Sequence, residues 1–261
     1  MGLFGHIRSS FREPGFWAYS SWLDIVTKYR RSRLGMVWLL LPPMLYVGGI
    51  GYFYALLQGK SAMASIPPFA IGYLVYRFFL NVVTESTTVL LGSSGFILDG
   101  HLRLTDFILR ALTKALFYLF AALPLVIVFL VLSPEVHYTG FLTVVPAFFV
   151  VLLNTFWIAL VCSLVGARYP DMQELTGSIF IFAFILTPIL WPPEAAPAGT
   201  PHGIFMRINP LYHMIQLMRA PLFGQHIEPL TYAYMAVMTV GGWVLAWALY
   251  RRFARFVPVW M

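Results

Sequence analysis

The chain has 261 residues, of which 60% are apolar, 17% aromatic and only 10% charged, with a net charge of +7. A soluble domain carries about 25% charged residues, so an ordinary soluble protein is excluded and an all-α integral membrane protein is expected. A single cysteine, Cys162, excludes a disulfide framework or a cysteine-based metal site, and the positive balance must be read by position rather than as a nucleic-acid footprint.

The first element is an amphipathic helix over residues 17–33. At about 100° per residue, Ala18, Tyr19, Trp22, Leu23, Ile25, Val26 and Tyr29 gather on one arc, and Ser20, Ser21, Asp24, Thr27 and Lys28 fill the other. Such a helix lies in the membrane interface, aromatic side down and polar side toward the cytoplasm. It serves either as a lipid-surface anchor or as a platform for a partner protein. Lys28, Arg30, Arg31 and Arg33 then stand directly against a long apolar run. No removable signal peptide is expected, since that run begins only at Leu34 and no small-residue cleavage site follows it.

Crossing a bilayer takes roughly 20 apolar residues in a helix. Runs of that kind cover residues 34–57, 67–90, 108–132, 140–166, 174–191 and 230–250, within one transmembrane domain, 1–261. The fifth is the weakest, because Gly177 to Trp191 is short and contains Pro188. Six spans leave both termini on one side. Placing that side in the cytoplasm puts 13 of the 17 Lys and Arg residues inside or at the inner boundary. Only Lys60, Arg207 and Arg219 then lie outside, with Arg77 inside the membrane, and this asymmetry fixes the expected orientation.

Two connections stand out. The cytoplasmic stretch 92–107, "GSSGFILDGHLRLTDF", has glycines that break a helix, and Thr105 with Asp106 reads as the N-cap and first turn of the next one. The external stretch 192–229 contains "NPLYHMIQLMRAPLFG", where Asn209 can cap, Pro210 suits the first helical position and Gly224 can terminate. Leu211, Met214, Ile215, Met218 and Leu222 form one apolar stripe on a helix too short to span, hence re-entrant or interfacial. Irregular backbone at membrane depth must be buried in protein or line a cavity, so an exit or pore is expected near it.

Catalytic chemistry is not visible. There is no G-x-x-x-x-G-K-[ST] loop for ATP, no H-E-x-x-H pair among the six histidines and no G-x-S-x-G elbow. Neither a catalytic residue nor a metal site is expected. His213 reads as a polar residue at a wet boundary rather than a ligand or acid, and Asp171 and Glu174 as either first-turn carboxylates favoured by a helix dipole or partner contacts. Arg77, Asn81 and Glu85 fall at i, i+4 and i+8, on one face of the second span. An arginine at mid-depth costs about 2.5–3.5 kcal/mol if it meets lipid, so this face should form a polar seam between helices or subunits. Tyr46 and Phe53 share a face of the first span, and Phe180, Phe184, Thr187 and Trp191 a face of the fifth. These stripes are either helix packing or a smooth aromatic wall along which sugar rings stack and slide.

The amphipathic helix leading into "YRRSRLGMVWLLLPPM", then "RYPDMQEL", "LTPILWPP" and "INPLYHMIQLMRAPLFG", in that order, resembles the membrane subunit of ABC-type polysaccharide exporters, the Wzm/KpsM family, over essentially the whole chain. The resemblance implies a homodimer of six-span subunits in the bacterial cytoplasmic membrane, both termini cytoplasmic. Two copies of a separate ATP-binding cassette subunit would carry ATP and Mg, leaving this chain without cofactor. The cargo would be a lipid-linked polysaccharide of O-antigen, capsule or teichoic-acid type. Asp24, Lys28, Arg31, Phe96, Asp99, His101 and Arg103 would couple to the ATPase, and Tyr46, Phe53, Phe180, Phe184 and Trp191 would line the conduit. Arg77 departs from the family pattern, where the position is apolar or small. The alternatives are an ABC exporter for a drug or small lipid, a membrane-embedded lipid-sugar transferase and, on the strength of Glu85 alone, a proton-driven carrier.

Overall fold

In an apolar surround every backbone N–H and C=O must find its partner within the chain, which helices achieve locally. The computed structural model describes residues 2–261, and among them there is no strand. Two short helices, α1 (Leu3–Arg12) and α2 (Gly15–Arg30), precede α3 (Gly35–Leu57), α4 (Ala62–Val89), α5 (Ser94–Leu98) and α6 (Leu104–Leu132). There follow α7 (Phe141–Arg168), α8 (Met172–Leu186), α9 (Pro201–Ile208), α10 (Pro210–Arg219), α11 (Pro229–Phe253) and α12 (Val257–Trp260). Five of these segments, built on α3, α4, α6, α7 and α11, are long and apolar enough to cross a membrane; α8 is apolar but has 15 residues. Both termini and α5 lie at one end of the bundle, here the basal end, and α9 and α10 at the distal end.

Central in the bundle is α4, which packs against α6 and α7 and also meets α3, α8 and α10. Its crossing with α7 is close enough to need glycine: a Cβ on Gly166 would stand 2.0 Å from the Thr87 carbonyl oxygen. Small residues let membrane helices approach in this way. Gly166→Ala should therefore force the two helices apart and cost about 3 kcal/mol, read as a lower unfolding temperature in detergent; an unchanged temperature would mean that this crossing is loose.

The windings of α3 and α8 alter what their sequences predict. Pro42 and Pro43 remove two backbone donors, and Met44–Ile50, which follows them and contains Gly48 and Gly49, is wound as a π-helix. A seven-residue repeat does not carry across such a turn. Tyr46 thus faces α4, while Phe53 is 61% exposed and meets no other ring among the described residues, so the two do not form one wall. In α8 the helix stops at Leu186 because Pro188 pushes Thr187 to an extended conformation (φ −84°, ψ 136°). Trp191 lies beyond that break, and its indole N–H donates to the Ile185 carbonyl at 3.0 Å; it does not continue the Phe180–Phe184 face.

At the basal end, α1 is tied to α6 and α11 by Ser10–Thr105 (2.7 Å) and His6 Nδ1–Tyr250 hydroxyl (2.6 Å). Burial, with Arg103 nearby, holds the His6 imidazole below its ordinary pKa. The interface helix differs from the 17–33 expectation in extent and in facing. It is α2, Gly15–Arg30, and part of its polar arc turns inward: Ser21 is buried and donates to the Arg110 carbonyl at 3.1 Å, while Asp24 pairs with α6. Tyr19, Trp22 and Leu23 are exposed. The Arg110 carbonyl takes the Ser21 hydroxyl and the cations of α6 take the Asp24 carboxylate, so Ser21 is buried and Asp24 half-buried against α6. The start of α6 is also shifted. Its N-cap is Arg103, whose backbone N–H donates to the Asp106 carboxylate at 3.0 Å, and Thr105 lies inside the helix.

Candidate functional site

The wide turn in α3 delivers Tyr46 to a seam between α3, α4 and α8. Tyr46 stacks on Tyr73 with centroids 4.9 Å apart and meets Phe184 edge-on at 6.4 Å. Tyr76 lies 5.1 Å from Phe184 and 6.0 Å from Phe180, and its hydroxyl donates to the Phe180 carbonyl at 2.6 Å. Tyr46, Phe180 and Phe184, three of the five expected pathway residues, thus converge. Tyr73 and Tyr76 complete the seam and escaped sequence reasoning, because away from the Arg77–Asn81–Glu85 face α4 is apolar and periodicity does not single them out. Their one signal is that both lie within the turn preceding Arg77. The seam is smooth and weakly polar, with hydroxyls on three of its five rings.

Beside it runs a polar trench. Arg77, Asn81 and Glu85 lie along a stripe of α4 that is not buried, with Thr84 and Thr88. The stripe faces α2 and α6. Glu85 accepts from Lys114 at 2.6 Å, Lys114 reaches Asp24 at 3.4 Å, and Asp24 takes the Arg110 guanidinium through two atoms, Nε at 3.0 Å and Nη2 at 2.7 Å. Two acids and two bases from three helices thus form one chain of ion pairs. Three adjoining cavities follow the stripe: about 740 Å³ at the basal end, about 200 Å³ over Glu85 and Lys114, and about 210 Å³ reaching Arg77.

The chain is similar to the polysialic acid transport protein KpsM of Escherichia coli. Identity is 23% over 235 residues, 87% of this chain and 89% of that protein. A second protein of the same name and organism aligns equally well. No family model matches the chain.

The remaining expected site residues divide by surroundings. Arg31, Phe96, Asp99 and His101 are exposed at the basal end. Asp24 is committed to its ion pairs, and Arg103 pairs with Glu13 at 2.5 Å, which raises the guanidinium pKa. Lys28 points to the trench, over the rings of Tyr29 and Tyr118. Short α5 rests on α2, with Phe96 5.8 Å from Phe16, and turns at Gly100, whose φ of +74° a side chain would strain. Asp24, Arg110, Lys114 and Glu85 thus link α2 to α6 and α4.

KpsM and this chain share a length class, and at the distal end the chain builds a tightly bonded cap. Asn209 caps α10 by accepting from the Leu211 N–H at 3.0 Å, and its amide donates to Thr187 at 2.7 Å. His213, expected at a wet boundary, is instead fully buried. Its Nε2–H donates to the Arg207 carbonyl at 2.8 Å, leaving Nδ1 to accept from Thr231 at 3.0 Å. That is a neutral imidazole in a structural role. Trp191 lines a distal cavity of about 400 Å³ with Lys60, Gln58, Gln225 and Arg219.

Proposed function

We propose that this chain is the transmembrane subunit of an ATP-driven exporter that moves a lipid-linked polysaccharide of O-antigen, capsule or teichoic-acid type across the bacterial cytoplasmic membrane. It works as a homodimer with two copies of a separate ATP-binding cassette subunit, which hold the ATP and Mg. The broad similarity to KpsM supports the class. The observation that carries the reading is the aromatic seam, where Tyr46, Tyr73, Tyr76, Phe180 and Phe184 meet at the junction of three helices. A polymer that slides needs many weak contacts rather than one tight pocket, and ring faces with few hydrogen-bonding groups provide them.

The orientation follows the cation distribution, with termini, α2 and α5 in or on the cytoplasmic side. Exposed apolar side chains on α3 and α8, among them Leu45, Ile181 and Phe182, flank the seam and give a second copy a surface to meet. ATP binding draws the partner subunits together; they press on α2 and α5; the ion-pair chain passes the displacement to α4 and α6, and the two copies part along the face that carries the seam. The test is reconstitution with the ATPase and its lipid-linked glycan. Tyr46→Ala combined with Phe184→Ala should lower export about tenfold, the equivalent of ~1.4 kcal/mol, while assembly and ATP hydrolysis persist. Unchanged export would reassign these rings to packing.

A further inference from the structure

The trench holds more positive charge than it neutralises. Of the four cations that face it, Arg110 and Lys114 are matched by Asp24 and Glu85. Lys28 and Arg77 are not: Lys28 meets only the rings of Tyr29 and Tyr118, and among the described residues Arg77 has no ion-pair or hydrogen-bond partner. Both line the innermost cavity, about 210 Å³, with Tyr73, Asn81 and Trp38, and no carboxylate lines it. Tyr73 is 3% exposed, and its hydroxyl too is without a partner. Arg77 lies close to the middle of α4, where an ionised side chain is costly and marks a site with a counter-charge.

We propose that the Lys28–Arg77 cavity binds a phosphoryl anion that enters along the trench from the basal end. A planar carboxylate would be satisfied by the guanidinium fork alone. Here a fork, a point-charge ammonium, an amide and a phenol are offered from α2 and α4, a set suited to the several oxygens and near-double charge of a phosphate ester. The phosphate is either that of a bilayer lipid headgroup or one borne by a soluble or transported molecule. This site requires no transport step, so it stands or falls separately from the exporter reading.

The full chain, in nanodiscs of zwitterionic phosphatidylcholine, is equilibrated with radiolabelled pyrophosphate. Saturable binding is expected, weakened about tenfold or more in Arg77→Gln and in Lys28→Gln. Arg77→Lys, which keeps the charge but loses the fork, should bind within a few-fold of the parent, and Arg252→Gln, on the exposed basal surface, should bind normally. Tyr73→Phe removes one hydroxyl without altering charge and should weaken binding several-fold, an independent test should the charge variants misfold. Phosphatidylglycerol added to the nanodisc separates the sources: competition assigns a lipid headgroup, undiminished binding a soluble or cargo-borne phosphate. Absent binding, binding equal in Arg77→Gln, or equal displacement by chloride at matched ionic strength would overturn the site.

Discussion

Asp24→Ala should lower the stability of the purified protein by about 2 kcal/mol and loosen α2 from the bundle. Asp24 is the one acid shared by Arg110 and Lys114, and the three side chains are 29%, 21% and 16% exposed. Stripping a fully buried pair of one partner costs about 3–5 kcal/mol; residual hydration here lowers that figure. Truncation leaves two adjacent cations with only Glu85 to balance them. The readouts are unfolding temperature in detergent and the rate of trypsin cleavage after Arg30, Arg31 and Arg33. Asp24→Asn, which keeps the shape and one acceptor, should fall between. Exchanging the charges, Asp24→Arg with Arg110→Asp, should recover part of the loss. Wild-type stability in Asp24→Ala would mean that α2 is held by its apolar side alone.

The same network shows what the sequence could and could not disclose. Hydropathy and length located the apolar segments, because lipid imposes a one-dimensional constraint on helices. The facing of α2 is a different kind of fact. Its arcs are legible from periodicity, but which arc meets protein depends on Arg110 and Lys114, some 85–90 residues later in the chain. The Arg77–Asn81–Glu85 stripe was readable as a face, whereas its partner Lys114 was counted only as a boundary cation. Local backbone decided the rest. The π-wound turn separates Phe53 from Tyr46, and Pro188 separates Trp191 from Phe184; both departures were signalled by proline or glycine that a helical projection ignores. Tyr73 and Tyr76 carried no such signal, since only the approach of α3 and α8 gives them their partners.

Arg219→Met should raise the stability of the distal cap, whereas Arg207→Met should lower it, although the two arginines occupy the same segment. Arg207 is well satisfied: its Nε donates to Glu228 at 2.9 Å, its Nη2 pairs with the same carboxylate, and its Nη1 donates to the carbonyls of Ala196 and Gly203 at 3.1 Å. Removing it strands Glu228, 35% exposed at its side chain, at a cost of about 2 kcal/mol. Arg219 is 4% exposed, yet it makes one bond, Nη1 to the Pro188 carbonyl at 2.7 Å, and among the described residues its Nε and Nη2 have no partner. Replacing a whole buried ion pair with apolar side chains of similar volume is commonly neutral or stabilising by about 1–4 kcal/mol, and Arg219, which has no ion-pair partner to strand, should follow the same direction. The bond to Pro188 joins α10 to the break after α8, so the arginine holds the distal cap to the helix that carries Phe180 and Phe184. A more stable Arg219→Met that also exports less would show that this bond serves movement rather than folding. A destabilised Arg219→Met would show instead that the guanidinium is better compensated in the membrane than its single carbonyl contact indicates.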